Sequence, residues 1–578
     1  MDGHGAALDE RERTGDVEPA RAPTRRSSVG RRAWRALLVL VPLAFLGLFF
    51  AYPVATIVAR GLRPNGRWQL APLRSVFTDG ALQHVAWFTL WQATASTALT
   101  LVAGIPGAYV LSRYRFRGRR LVWAAVTVPF VLPTVVVGSA FLSLFGPRGP
   151  FGSFGLSGTV WPILLAHAFF NYAVVVRTVG GLWAHLDPRA EESARVLGAN
   201  RWRAFREVTL PALRPAIAAA ASIVFLFTFC SFGVVLILGG PHYSTLEVEI
   251  YRQTAELLNL PTAAALSIVQ LLAVLAVLVV AGRLQQRRVT ALRLRAETET
   301  ATPVHTPGAR VTLAANLLVM GALLGVPIGV LVERSFATGN GYGFGFYRAL
   351  AHPPRDSTLF VSPLEAVRNS LLFAVVATVI ALVVGGCAAF TIARRRTPHG
   401  NRGPRGSRAL DTLVMLPLGT SAVTVGFGFL ITLDHAPIDL RTSPVLIPIA
   451  HALIAAPFVV RVMVPMLRSI DPRLREAAAV LGAPPSRVWR EIDLAIVSRA
   501  VLVAAGFAFA VSLGEFGATI FIVRPDYPTL PVVIYRLLSR PGVLNFGQAM
   551  AASVILMLVT GTAVLLIERF RAGSAGEF

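Results

Sequence analysis

"LDPRAEESARVLGA" occupies Leu186–Ala199, and "IDPRLREAAAVLGA" occupies Ile470–Ala483, 284 residues further on. Each copy is punctuated as a short helix. Asp187 and Asp471 suit the N-cap, where a carboxylate accepts from free backbone N–H groups. Pro188 and Pro472 follow in the first turn, where proline loses no hydrogen bond. Gly198 and Gly482 suit the residue beyond the last turn, where φ is positive. About ten helical residues make a rod of about 15 Å, too short for a bilayer that needs about 20 apolar residues. A helix of this length is marginal alone in water. It carries Ala194, Val196 and Leu197 beside its charges, so it needs a surface to lie on. The surface is either a membrane face or a groove in another protein. Duplication favours grooves, because a dimeric partner presents two equivalent ones.

The surrounding chain is strongly apolar. Of its 578 residues 54% are hydrophobic and 15% charged, against about 25% charged in soluble proteins, and the mean hydropathy is +0.61. Twelve apolar stretches lie near 34–60, 86–112, 121–145, 159–183, 212–239, 262–282, 310–333, 366–393, 409–433, 444–467, 497–523 and 547–568. They predict an all-α, polytopic membrane protein with about twelve transmembrane helices. Cys230 and Cys387 both sit in apolar runs and read as small buried hydrophobes rather than a disulfide. No group of His, Cys and carboxylate residues has metal-ligand spacing, so no metal is expected.

The net charge is +25, and all 55 basic residues are Arg. Without Lys the chain cannot build a P-loop, whose Lys meets the phosphates, or form a Schiff base. Nucleic acid is not the expected partner, because the Arg residues collect in short loops. Arg113, Arg115, Arg117, Arg119 and Arg120 follow the second stretch, and Arg394, Arg395, Arg396, Arg402, Arg405 and Arg408 follow the eighth. The positive-inside rule places these loops, the basic connection between the sets and both termini in the cytoplasm. Residues 1–32 read as a disordered tail, and the first apolar run as a retained helix without a cleavage site. The composition, rich in Ala, Arg, Gly, Pro and Val, suggests a bacterial source with a GC-rich genome.

The duplication extends well beyond the short helix. At the constant offset of 284, Ala166-His167-Ala168 matches Ala450-His451-Ala452, Phe232-Gly233 matches Phe516-Gly517, and Ile250-Tyr251-Arg252 matches Ile534-Tyr535-Arg536. Residues 33–282 and 310–578 therefore read as two homologous permease domains joined by a cytoplasmic linker, 283–309. Six spans in each half give the halves one orientation and a pseudo-twofold axis along the membrane normal. A solute path between the halves follows naturally.

The run Glu192-Ser193-Ala194, Gly198, Leu210-Pro211 and its copy Glu476-Ala477-Ala478, Gly482, Leu494 resemble the loop motif of ABC-importer membrane subunits. Ser193 and Ala495 depart from the usual Ala and Pro. The whole chain resembles fused two-domain permeases of the thiamine and ferric-iron importers, which have the MetI-like fold. The resemblance implies that Asp187, Glu192, Ala194, Gly198, Asp471, Glu476, Ala478 and Gly482 belong to coupling helices docked on a separate ABC ATPase dimer. That ATPase would use ATP and Mg, while this chain binds no cofactor and catalyses nothing. The resemblance also implies an extracytoplasmic solute-binding protein and a place in the bacterial cell membrane, where basic loops meet the lipid bilayer.

Ionisable residues inside spans are the candidates for the translocation path. They are His167, His451 and Glu515, together with Ser231, which holds the position equivalent to Glu515. The duplicated His also suits an interhelical hydrogen bond, and Glu515 suits either a cationic solute or an Arg partner. Tyr251-Arg252 and Tyr535-Arg536 read as interfacial anchors or as contacts for a delivery protein. An ion-coupled secondary transporter is the alternative. It requires carboxylates buried in several spans, and Glu515 is nearly alone.

Overall fold

The computed structural model describes every residue except 1–25, 64–66, 68, 287–294, 296–299, 340, 352–360, 395–404, 436–437, 441–442 and 573–578. Arg395, Arg396, Arg402, most of the expected tail and much of the expected linker lie outside the described residues. The first helix, Arg26–Leu46, begins inside the stretch expected to be a disordered tail. Ten helices among the described residues are long and apolar enough to cross a membrane. Two further pairs, Arg119–Val131 with Thr134–Phe145 and Ala409–Pro417 with Ala422–Thr432, are bent by 102° and 89°; counted as one span each, they raise the total to twelve. The fold is all-α, with three two-residue strand pairs among the described residues.

The breaks have local causes. Leu132 is extended (φ −65°, ψ 139°) and precedes Pro133, as expected where the proline ring disfavours helical geometry in the residue before it. In the second half Ser421 ends the break by accepting from the N–H groups of Val423 and Thr424 at 3.0 and 3.4 Å. Two other expected spans are also interrupted. The helix Leu210–Phe229 stops before a new one starts at Gly233, and Leu494–Gly514 stops before the single turn Thr519–Ile522. Apolar residues flank all four breaks, which hold only a few polar ones such as Ser421, Ser231 and Glu515, so apolar run length does not register them.

Two helices form the centre. Trp161–His185 and Leu446–Ser469 each have 78% of their apolar window buried, whereas the outer spans Arg201–Phe229 and Pro307–Phe336 have 22%. Each central helix packs along the long helix before it, Gly80–Arg113 in the first half and Pro363–Arg394 in the second. The first helices exchange halves. Arg26–Leu46 lies on Pro363–Arg394 and Tyr52–Leu62 on Ala422–Thr432, while Val326–Phe336 lies on Thr134–Phe145. Both exchanged helices contain one π turn, Gly47–Ala51 and Gly321–Gly325, each followed by a proline-bearing segment. One continuous apolar core therefore runs through both halves.

Candidate functional site

The two quoted stretches fold as the helices Arg189–Val196 and Pro472–Val480. Asp187 Oδ1 accepts from the Arg189 N–H at 3.1 Å, and Asp471 Oδ1 from the Arg473 N–H at 2.9 Å. At the other end, Ala199 donates to the Ala194 carbonyl and Gly198 to that of Arg195. Ala483 and Gly482 do the same to Ala478 and Ala479, all four bonds being 3.0 Å long. This paired closure is the Schellman motif. It requires the left-handed backbone of Gly198 (φ +95°) and Gly482 (φ +78°). Ala194 and Ala478 are half-buried, while Glu192 and Glu476 face solvent. The tips Val196, Leu197, Val480 and Leu481 are 86–87% exposed. Two adjacent aliphatic side chains therefore stand bare at each of two matched places.

The base of each short helix is tied to the segment leading into the next span. Thr209 donates its hydroxyl to Glu191 Oε2 at 2.7 Å. In the second half Arg475 occupies the place of Glu191 and Asp493 that of Thr209, and the guanidinium meets Asp493 Oδ1 at 2.7 and 2.8 Å. Both ties end on a π turn, Phe205–Thr209 or Trp489–Asp493. These residues escape a search for identical pairs because acceptor and donor have changed sides. The shared 18-residue spacing is the signal that finds them.

His167 and His451 sit at matched points in the central helices and hold the broken ones. His167 Nδ1 lies 2.9 Å from Ser96 Oγ, and its Nε2 lies 2.8 Å from Ser231 Oγ. His451 Nδ1 lies 2.7 Å from Ser512 Oγ, and its Nε2 lies 2.8 Å from Thr519 Oγ1 and 3.2 Å from Glu515 Oε2. Glu515 also accepts from the N–H groups of Ala518 and Thr519 at 2.7 and 3.1 Å, and from the Thr519 hydroxyl. It caps the turn that follows the break. The four expected path residues thus gather at two equivalent helix breaks, each less than 9% exposed. Among the described residues, no three His, Cys, Asp or Glu side chains come together to hold a metal.

Two features of the seam between the halves were not singled out from the sequence. Phe232 stacks on its own repeat copy, Phe516, with ring centres 5.4 Å apart and planes 24° apart. Tyr251 sets its ring on Phe232, and Tyr535 sets its ring on Phe516, each at 5.6 Å. The two tyrosines thus belong to an aromatic seam, one edge-on and one tilted against its phenylalanine. The repeat match contains all four rings, but a linear match does not reveal that a residue faces its own copy. The second feature is Glu247, fully buried, which accepts from Gln270 Nε2 and from Ser421 Oγ of the other half. Its signal is a mismatch, since "TLEVEIYR" holds two acids where "TLPVVIYR" holds none.

A helical membrane protein of two intertwined halves, joined by an aromatic contact and carrying a matched pair of short helices with bare tips, has the architecture of a permease. Residues 100–290 match the family described as binding-protein-dependent transport system inner membrane component. The sulfate transport system permease protein CysT of Escherichia coli (strain K12) is 34% identical over 254 residues, 42% of this chain and 90% of that protein. The chain belongs to this family, the membrane-spanning permeases of ABC importers. Over nearly its full length it is similar to the thiamine transport system permease protein ThiP. That of Salmonella typhimurium is 27% identical over 92% of this chain and 96% of its own length, and that of Brucella abortus (strain 2308) is 28% identical over 96% and 99%. These relatives are transport permease subunits, not enzymes.

Proposed function

We propose that this chain is the permease of an ATP-driven thiamine importer, with Arg189–Val196 and Pro472–Val480 acting as coupling helices on a separate ATPase dimer. The exposed pair of Schellman-closed tips carries this reading. Each tip offers two aliphatic side chains, and burying one stabilises a complex by about 1.5–3 kcal/mol. The Arg-rich face and both termini are cytoplasmic, and an extracytoplasmic binding protein delivers the solute to the opposite face. ATP and Mg²⁺ act in the partner. Closure of that partner moves both coupling helices, parts the aromatic seam and rocks the halves between inward-open and outward-open states. The full-length similarity to thiamine permeases supports the solute. So does the seam, since the thiazolium of thiamine is a flat aromatic cation and tyrosine and phenylalanine faces attract cations.

The test is reconstitution with candidate ATPase and binding proteins. Thiamine-loaded binding protein should stimulate ATP hydrolysis and uptake, and ferric-iron-loaded protein should not; the reverse result assigns iron. Val196→Asp with Leu197→Asp, combined with Val480→Asp and Leu481→Asp, should reduce copurification of the ATPase at least tenfold. Uptake by this chain alone under an ion gradient would overturn the proposal in favour of a secondary transporter.

A further inference from the structure

Among the described residues, the connection between the halves meets the base of the first short helix. Its residue Arg295 donates its N–H to the His185 carbonyl at 2.9 Å, and His185 Nδ1 lies 2.8 Å from the Arg295 carbonyl. The Arg295 Nε then reaches Asp187 Oδ2 at 3.0 Å, with the two side chains 31% and 23% exposed. Five residues on, Thr300 donates its hydroxyl to the Ala184 carbonyl. Arg115 donates to the Ala301 carbonyl at 3.0 Å, and Tyr114–Arg115 pairs in parallel with Thr302–Pro303. These contacts enclose the joint between the central span, which ends at His185, and the short helix, which Asp187 begins.

The equivalent joint in the second half differs. Among the described residues the Asp471 carboxylate accepts only from the Arg473 N–H, and Ser469 bonds locally to the Met466 carbonyl. One carboxylate is therefore shared between a helix cap and an outside cation, and among the described residues its copy serves the cap alone. A charge-assisted bond is about twice as strong as a neutral one, and here it sits at the hinge.

We propose that the inter-half connection is a strap that braces the hinge of the first coupling helix, with Arg295 as its positioning residue, leaving the second coupling helix freer to swing. The functional consequence rests on the coupling reading above; the brace itself does not.

Hydrogen–deuterium exchange on the full chain in lipid nanodiscs tests it without any partner. Arg295→Ala should raise exchange across Arg189–Gly198 at least threefold and leave Pro472–Gly482 unchanged. Asp187→Asn keeps an oxygen for the Arg189 N–H and should have the same selective effect, and adding Arg295→Ala to it should change little more. Arg295→Lys retains a charge and should restore most of the protection. Unchanged exchange, or equal loosening of both helices, overturns the proposal. In the reconstituted importer, Arg295→Ala should raise the ATP consumed per solute moved. Selective loosening with an unaltered ratio would uphold the brace and count against the coupling reading.

Discussion

The two halves share a backbone plan and differ in the chemistry that holds it. At the buried helix break, the first half closes with a serine on His167 and the second with Glu515 on His451. At the elbow, a neutral bond from Thr209 to Glu191 stands where the second half has the Arg475–Asp493 ion pair. At the seam, Glu247 stands where the second half has Pro531. At the break and the elbow the join is kept while the charge is not, and at the seam Pro531 has no counterpart to the Glu247 bonds. Positions are thus constrained by what must be joined, and polarity is free to vary if every buried group finds a partner. Charge is also distributed unevenly: the first half carries the strap and the seam carboxylate, and the second carries the charged break and elbow.

The largest expected difference lies at the breaks. Glu515→Ala strips acceptors from two backbone N–H groups in a buried site and should destabilise the protein by about 3 kcal/mol, whereas Ser231→Ala removes one neutral bond and should cost about 1 kcal/mol. Thermal unfolding in one detergent measures both. Equal losses would show that the carboxylate adds nothing beyond the hydroxyl. The elbows should differ less. Arg475 is 42% exposed and Asp493 12%, so solvent screening limits the pair to about 1 kcal/mol. Arg475→Met should loosen the second elbow, and 0.5 M salt should partly mimic it. Glu191→Gln keeps an acceptor for Thr209 and should be almost silent at any salt. Salt-sensitive exchange at the first elbow would break the comparison.

Much of this was legible in the sequence because it is local. Asp, Pro and Gly at fixed offsets specify a short helix through their own backbone preferences, and the structure bonds them as those preferences require. Span number was legible through apolar run length. The breaks at Leu132–Pro133 and Cys230–Phe232 were not, since each interrupts the helix for only a few residues inside an apolar stretch. The Phe232–Phe516 stack and the Glu247–Ser421 bond depend on how one half meets the other, which no window of sequence contains. Arg295 was hidden differently. It lies in a polar, Arg-rich stretch with no apolar period, and one arginine there is distinguished only by the joint it reaches.

The smallest expected effect concerns acid. The Asp187 carboxyl is held below the usual carboxylate range, first by the Arg189 N–H and then by the nearby Arg295 charge. A depressed value means that the contribution is present above the ordinary range of about 4 and is lost as pH falls through the lower value. The charged groups around it are Arg113, Arg189, Arg295 and Glu191. His185 bonds a carbonyl through Nδ1, a contact that needs the Nδ1 proton and survives when the ring gains a second one. Exchange of Arg189–Gly198, corrected for the intrinsic rate, should therefore stay level from pH 7 to pH 5 in the wild-type chain. In Asp187→Asn it should be raised by the same factor at both ends of that range. Loosening of the wild-type helix between pH 7 and 6 would mean that a group other than this carboxylate holds the strap, and the asymmetry between the two short helices would need another source.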